Sequence, residues 1–111
     1  MKFLSKKYIF TITLVVFSLF NLSAQDKITM AVSGACGMCK DRIEATALKS
    51  KGVAIANYNI DNQTLTLTVS PSFNKNELVS ALLAVGHDTE GQKAPDEVYN
   101  ALHACCHYRE S

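Results

Sequence analysis

The sequence predicts an α+β domain, a ferredoxin-like βαββαβ sandwich with a C-terminal helical extension. One observation is strict period-two alternation over 64–69, where Leu65, Leu67 and Val69 alternate with threonines. A second is that two segments with apolar residues at helical spacing separate the strand-like runs. Both helical stripes need an apolar surface, which predicts a single sheet with both helices on one face.

The first strand and first helix are separated by a short glycine-containing loop. Over 28–32 apolar residues alternate with smaller ones, which predicts a strand. A helix is predicted from Gly37 or Met38 to about Ser50, and Gly52 ends it. Its buried stripe is predicted to contain Cys39, Ile43 and Ala47, with Leu48 as a further candidate.

The second half of the predicted domain contains two further strand-like segments and a second helix-like segment. Residues 53–60 are apolar and β-prone, and Asp61-Asn62 is typical of a turn before the strand over 64–69. Asn74 or Ser72 is suited to cap a helix over 75–85. Its buried stripe is predicted to contain Leu78, Val79, Leu82 and Leu83.

The C-terminal part is less regular. Residues 88–90 are polar and favour at most a short edge strand. Pro95-Asp96-Glu97 is typical of the first turn of a third helix, which is predicted to continue towards Cys105.

The N-terminus predicts export. Three lysines precede an apolar run from Tyr8 to Leu22, and Ala24 offers a small residue before Gln25. The run is about 15 residues, shorter than the ~18 expected of a spanning helix. We therefore expect a cleaved signal peptide over 1–24 and a periplasmic mature chain, with an uncleaved membrane anchor as the alternative.

The charge of the mature part excludes some partners. Removing three of the 11 basic residues and none of the 10 acidic ones leaves a formal charge of −2. Nucleic-acid and anionic-membrane binders need a basic face, so neither class is expected. All four cysteines lie in the exported part, where disulfides can persist.

Cys36-Gly37-Met38-Cys39 carries the clearest chemistry. Cysteines three residues apart at a helix start place both sulfurs on one side. Two converging thiolates suit Cu(I) and similar soft ions, and a helix N-terminus favours the thiolate form. The same arrangement also serves thiol–disulfide exchange. From the residues alone, a metal site and a redox pair both remain open.

With this motif between a strand and a helix, the chain resembles the heavy-metal-associated domain family of copper chaperones, copper-transporting ATPase modules and the periplasmic mercury-binding protein. The resemblance covers about residues 27–93. It implies that Cys36 and Cys39 bind the metal, and Gly86-His87-Asp88 falls where the family has a loop beside the ion, making His87 a further possible metal residue. It divides the mature chain into a domain over 25–94 and a Cys/His-rich extension over 95–111.

The resemblance also implies a function. We expect an exported carrier or sequestering protein for Cu(I), with Hg(II) or Zn(II) possible, that passes the ion to a metal-transporting or metal-accepting protein by ligand exchange. No catalysis is expected. The alternatives are a small periplasmic dithiol–disulfide oxidoreductase and a non-catalytic disulfide-bonded accessory domain.

The sequence departs from the family pattern in one place. The family usually has methionine two residues before the first cysteine, where this chain has Gly34. Here the methionine is Met38, between the cysteines. We expect Met38 to pack on the core, with a weak thioether ligand as the alternative.

The extension contains four potential metal ligands in five residues, His103-Ala104-Cys105-Cys106-His107. In one interpretation the tail folds back and lends Cys105 or Cys106 to the Cys36/Cys39 site, favouring Zn(II) or tighter soft-metal binding. In another it forms a separate site. In a third, one cysteine only packs while the other is solvated or disulfide-bonded.

Overall fold

A three-stranded antiparallel sheet carries the fold in the computed structural model, which describes residues 25–110. The central strand β3 (Thr64–Val69) pairs with β1 (Asp26–Ala31) on one side and with β2 (Val53–Asn59) on the other. The signal peptide predicted over 1–24 lies outside the described residues. Within 25–110, no helix is long and apolar enough to cross a membrane.

Two helices share one core with this sheet. They are α1 (Gly37–Leu48) and α2 (Lys75–Ala84), and Asn74 caps α2 by accepting the backbone N–H groups of Asn76 and Glu77. Most inward residues predicted from periodicity are buried in the structure, but Leu83 is only half-buried and the prediction for Leu48 is wrong, since it is 51% exposed at the end of its helix. The core includes Met30, Val32, Cys39, Ile43, Ala47, Tyr58, Leu65, Leu67, Leu78 and Leu82. The ferredoxin-like α+β class is thereby confirmed, and the two main helices end within two residues of their predicted ends.

The predicted edge strand over 88–90 is wrong as a strand. Thr89 makes only isolated bridges, to Val32 and to Gln92. Glu90 and Gly91 both have positive φ, 51° and 77°, so the backbone turns back on itself instead of extending. The bridge to Val32 still fixes this loop beside the end of β1.

The predicted third helix is shorter than expected. Helix α3 covers Asp96–Asn100, and two 3₁₀ turns follow, Ala104–Cys106 and Tyr108–Glu110. The extended backbone of His103 interrupts helical continuation. The chain therefore folds back over the domain instead of extending away from it.

Side chains from the last 3₁₀ turn dock this tail. The Tyr108 hydroxyl donates to the Gly86 carbonyl at 2.6 Å and accepts the Asp88 N–H at 2.9 Å. Arg109 forms a two-pronged ion pair with Asp88 at 2.8 and 3.1 Å and lies 4.1 Å from the centre of the Tyr99 ring. The 3₁₀ turn that carries Cys105 and Cys106 is therefore held between α3 and an anchored terminus.

Candidate metal centre

Cys36 and Cys39 meet where the loop after β1 becomes α1. Cys36 is the residue that caps the helix, with extended backbone, and Cys39 lies in the first turn. Their sulfurs are 3.6 Å apart. Cys39 is fully buried in the core, whereas Cys36 is half-buried, so the pair has one inner and one accessible sulfur.

The tail brings two more sulfurs to this pair. Sγ of Cys36 lies 3.3 Å from Sγ of Cys106 and 2.7 Å from Sγ of Cys105. The sulfurs of Cys36, Cys39 and Cys106 all lie within 4.8 Å of one another, and we call these three the inner trio. Cys105 is exposed and stands outside it. Of the three interpretations of the tail, the structure shows the geometry of the first.

Arg42, a cation that was not predicted from the sequence to be part of the site, lies beside one of these sulfurs. Nη1 of Arg42 lies 3.5 Å from Sγ of Cys106 and 3.3 Å from Nε2 of His87. Lys40, the residue directly after Cys39, instead donates to Glu44 and to the Tyr58 carbonyl, both at 2.8 Å. Arg42 is one helical turn after Cys39, and that spacing was the available signal.

His87 is buried and has a partner at each ring nitrogen. Nδ1 lies 2.8 Å from the Ser33 carbonyl oxygen and Nε2 faces Arg42. Burial lowers the pKa of His87, and the neighbouring Arg42 charge lowers it further, which keeps the ring neutral near pH 7. Arg42 thus lies between His87 and Cys106, and neither ring nitrogen of His87 is directed at the inner trio.

The thiols differ sharply in acidity. Burial raises the pKa of Cys36, but hydrogen bonds from Cys105, Cys106 and Cys39 outweigh it and lower the pKa to about 6. Burial raises the pKa of the Cys39 thiol to about 12. The pKa of Cys106 is raised by burial, and that of Cys105 by its hydrogen bond to Cys36. Hydrogen bonds to the tail cysteines and to the helix start therefore favour a thiolate at Cys36, whereas burial disfavours one at Cys39.

Tyr58 and Cys39 leave little room for a side chain at Gly34. A Cβ at position 34 would lie 2.9 Å from the Tyr58 hydroxyl and 3.2 Å from Cβ of Cys39. The Tyr58 hydroxyl donates to the Val32 carbonyl and so fixes the start of the loop between β1 and α1. Tyr58 thus fills the space beneath the loop.

The expectation that Met38 packs on the core is wrong. Its side chain is 44% exposed, and its Sδ lies 3.7 Å from Sγ of Cys105. Position 38 points outward because Cys39, its neighbour on the helix, occupies the buried stripe. The thioether therefore contacts a tail cysteine instead of the core.

An all-sulfur ligand set of this kind suits a soft ion. Thiolates bind Cu(I), Zn(II) and related ions by preference, whereas hard ions such as Mg²⁺ prefer oxygen. An ion with metal–sulfur bonds of about 2.3 Å holds its sulfurs about 4 Å apart. The inner trio meets that spacing with small rotations of the side chains.

Comparison with known proteins now decides the family. The model of the heavy-metal-associated domain matches residues 29–88, which contain both cysteines of the helix start and His87. The chain belongs to the heavy-metal-associated domain family. The matched region ends before α3, so Cys105 and Cys106 lie beyond it. No curated protein matches the chain.

Solved structures of other family members agree with the fold. The chain is similar to the N-terminal domain of a potential copper-translocating P-type ATPase from Bacillus subtilis, solved in the Cu(I)-loaded state, with 26% identity and a TM-score of 0.57 over 68% of this chain and 96% of that one. It is also similar in fold to the CopZ metallochaperone, with 24% identity and a TM-score of 0.55 over 59% and 100% of the two chains. Oxidized MerP from Ralstonia metallidurans CH34 shows 19% identity and a TM-score of 0.55 over 60% and 96%.

Proposed function

We propose that this heavy-metal-associated domain protein is exported to the periplasm, binds Cu(I) through cysteine thiolates and passes the ion to a metal-transporting or metal-accepting protein. The observation that carries the proposal is the inner trio, three sulfurs within 4.8 Å of one another. Three thiolates and no oxygen ligand favour Cu(I), with Hg(II) and Zn(II) as further ions of suitable softness. The Cu(I)-loaded state of the Bacillus subtilis domain supports the choice of copper.

The different accessibilities of the sulfurs support transfer by exchange. Cys36 is half-buried with a pKa lowered to about 6, so it is largely thiolate at neutral pH and open to an incoming ion. Buried Cys39 and Cys106 hold their protons until metal displaces them. In the proposed exchange, a partner sulfur attacks the ion on the exposed side before Cys36 leaves. The chain needs no catalytic step of its own for this.

The test is a Cu(I) titration of the protein purified after expression of the full sequence, reduced and kept anaerobic. Cys36→Ser and Cys39→Ser should each weaken binding of the first ion by at least an order of magnitude. Cys105→Ser is the matched control, because it removes a thiol outside the inner trio and should retain the first ion. Unchanged first-ion affinity in the Cys36 and Cys39 variants would rule the site out.

The same expression tests export. Cell fractionation should place the protein in the periplasm, and its mass should correspond to a chain that begins at Gln25. A cytoplasmic or membrane-bound chain that retains Met1 would contradict the periplasmic proposal without touching the metal site.

One observation also favours a second candidate, a dithiol–disulfide oxidoreductase. An acidic Cys36 thiol lies 3.6 Å from Cys39, as a nucleophilic and a resolving thiol would. Insulin reduction separates the two functions, because a metal carrier should not turn over a disulfide substrate. Multiple turnovers that require Cys36 would favour the oxidoreductase.

A further inference from the structure

Two sulfurs outside the inner trio face each other at the surface. Sγ of Cys105 lies 3.7 Å from Sδ of Met38, and both side chains are exposed. Neither side chain belongs to the hydrophobic core. Cys105 also lies beyond the part of the chain that the family model matches. An exposed thiol and an exposed thioether in contact form a pair of soft donors that the first site does not use.

Cys36 connects this outer pair to the inner trio. Its Sγ lies 2.7 Å from Cys105 on one side and 3.3 Å from Cys106 on the other. A thiolate sulfur has enough lone pairs to bind two ions at once. Cys36 is therefore placed to be a ligand of an inner ion and of an outer one.

The spacing of the outer donors matches a second ion. Two sulfurs that share one ion at about 2.3 Å each lie about 3.8–4.0 Å apart. The 3.7 Å between Cys105 and Met38 is close to that value. The 2.7 Å between Cys36 and Cys105 must lengthen by about 1 Å on binding, which rotation of an exposed side chain allows.

Charge does not oppose a second Cu(I) ion. Three thiolates around one Cu(I) carry a formal charge of −2, and Arg42 beside Cys106 offsets part of it. Binding at the outer pair adds one thiolate, one neutral thioether and one Cu(I), so it adds no net charge. The Cys105 proton is released to solvent as the ion binds.

We propose that the sulfurs hold two Cu(I) ions per chain, an inner ion on Cys36, Cys39 and Cys106 and an outer ion on Cys36, Cys105 and Met38. This inference rests on the proposed function, because the outer ion shares Cys36 with the inner one. The outer ion lies at the surface, so it is the ion that a partner's thiolate reaches first.

The experiment counts copper per chain by mass spectrometry under non-denaturing conditions. The reduced full-length expression product is saturated anaerobically with Cu(I) supplied as its acetonitrile complex. The expected result is a monomer with two coppers, with a copper–copper distance visible in X-ray absorption. Cys105→Ser should bind one copper, and Met38→Leu should weaken the second binding step and leave the first unchanged.

Ala104→Ser is the matched control, because it changes the exposed neighbour of Cys105 without removing a sulfur, and it should bind two coppers. The inference is overturned if the unaltered protein binds one copper at saturation, if Cys105→Ser still binds two, or if two coppers appear only in a dimer. Each of these results leaves the proposed function standing. Absence of any bound copper would instead refute the proposed function itself.

Discussion

Nη1 of Arg42 lies 3.5 Å from Sγ of Cys106 and so connects α1 to the tail beside the inner trio. The same nitrogen faces the neutral ring of His87, which accepts from it and carries no competing charge. A guanidinium in this place offsets the negative charge that accumulates when thiols bind an ion as thiolates and release their protons to solvent. In the proposed site, Arg42 is therefore a positioning residue for Cys106, the proposed ligand that lies farthest away in sequence.

Replacing Arg42 should weaken metal binding without abolishing it. Arg42→Gln removes the charge beside Cys106, and we expect Cu(I) affinity to fall by about tenfold, the scale typical of partners that contact a metal ligand. Competition with a Cu(I) chelator measures the change. Lys49→Gln removes the same charge just past the end of the same helix and should leave the affinity unchanged. Equal losses in both variants would show that only overall charge matters.

In the reduced, metal-free protein, half-buried Cys36 should be alkylated faster than exposed Cys105. Cys36, with a pKa of about 6, should react with iodoacetamide rapidly at pH 7, and its rate should rise with a midpoint near pH 6. Exposed Cys105 should react more slowly, because its hydrogen bond to Cys36 raises its pKa. Peptide mapping after timed quenching gives each rate. Cys105→Ser keeps a donor at that position and Cys105→Ala does not, so only the alanine variant should shift the Cys36 midpoint strongly upward.

The ion pair between Asp88 and Arg109 should make stability depend on acid pH. Burial raises the pKa of Asp88, but donation from Arg109 and from the Ala94 N–H outweighs it and holds the pKa below its usual value. The stabilisation is therefore complete above about pH 4, the unfolded-state pKa, and is lost as the pH falls through the folded one. Asp88→Asn should destabilise the fold by about 1–3 kcal/mol at pH 7 and by less at pH 3.

Urea unfolding at the two pH values measures that difference. Asp41→Asn, an exposed carboxylate on α1, is the matched control and should cost little at either pH. A destabilisation by Asp88→Asn that is equal at pH 7 and pH 3 would mean that the carboxylate charge contributes nothing. Because Arg109 anchors the tail, the same variant should also lower Cu(I) affinity at pH 7.

Local patterns predicted most of the fold, and long-range contacts supplied most of the site. The alternation in β3 and the stripes of α1 and α2 are visible within a few residues, so those elements agree with their predicted bounds. Cys36 and Cys106 are separated by 70 positions, and no periodicity relates them. Their meeting depends on Tyr108 and Arg109 docking onto the 86–88 loop, a tertiary event that overrides the helical tendency of the tail.

Gly34 should be intolerant of any side chain, and Tyr58 should be the reason. A Cβ at position 34 would lie 2.9 Å from the Tyr58 hydroxyl, too close without movement of the ring. Gly34→Ala should therefore destabilise the fold by about 1–3 kcal/mol. Tyr58→Phe removes that oxygen along with its bond to Val32, so it should cost about 1 kcal/mol alone and should lessen the cost of Gly34→Ala.

Urea unfolding of the unaltered protein, the two single variants and the double variant gives the coupling energy between the two positions. Gly37→Ala, where an added Cβ meets nothing within 4 Å, is the matched control and should be nearly neutral. Strictly additive costs would show that Tyr58 does not set the requirement for glycine beside the metal-binding loop.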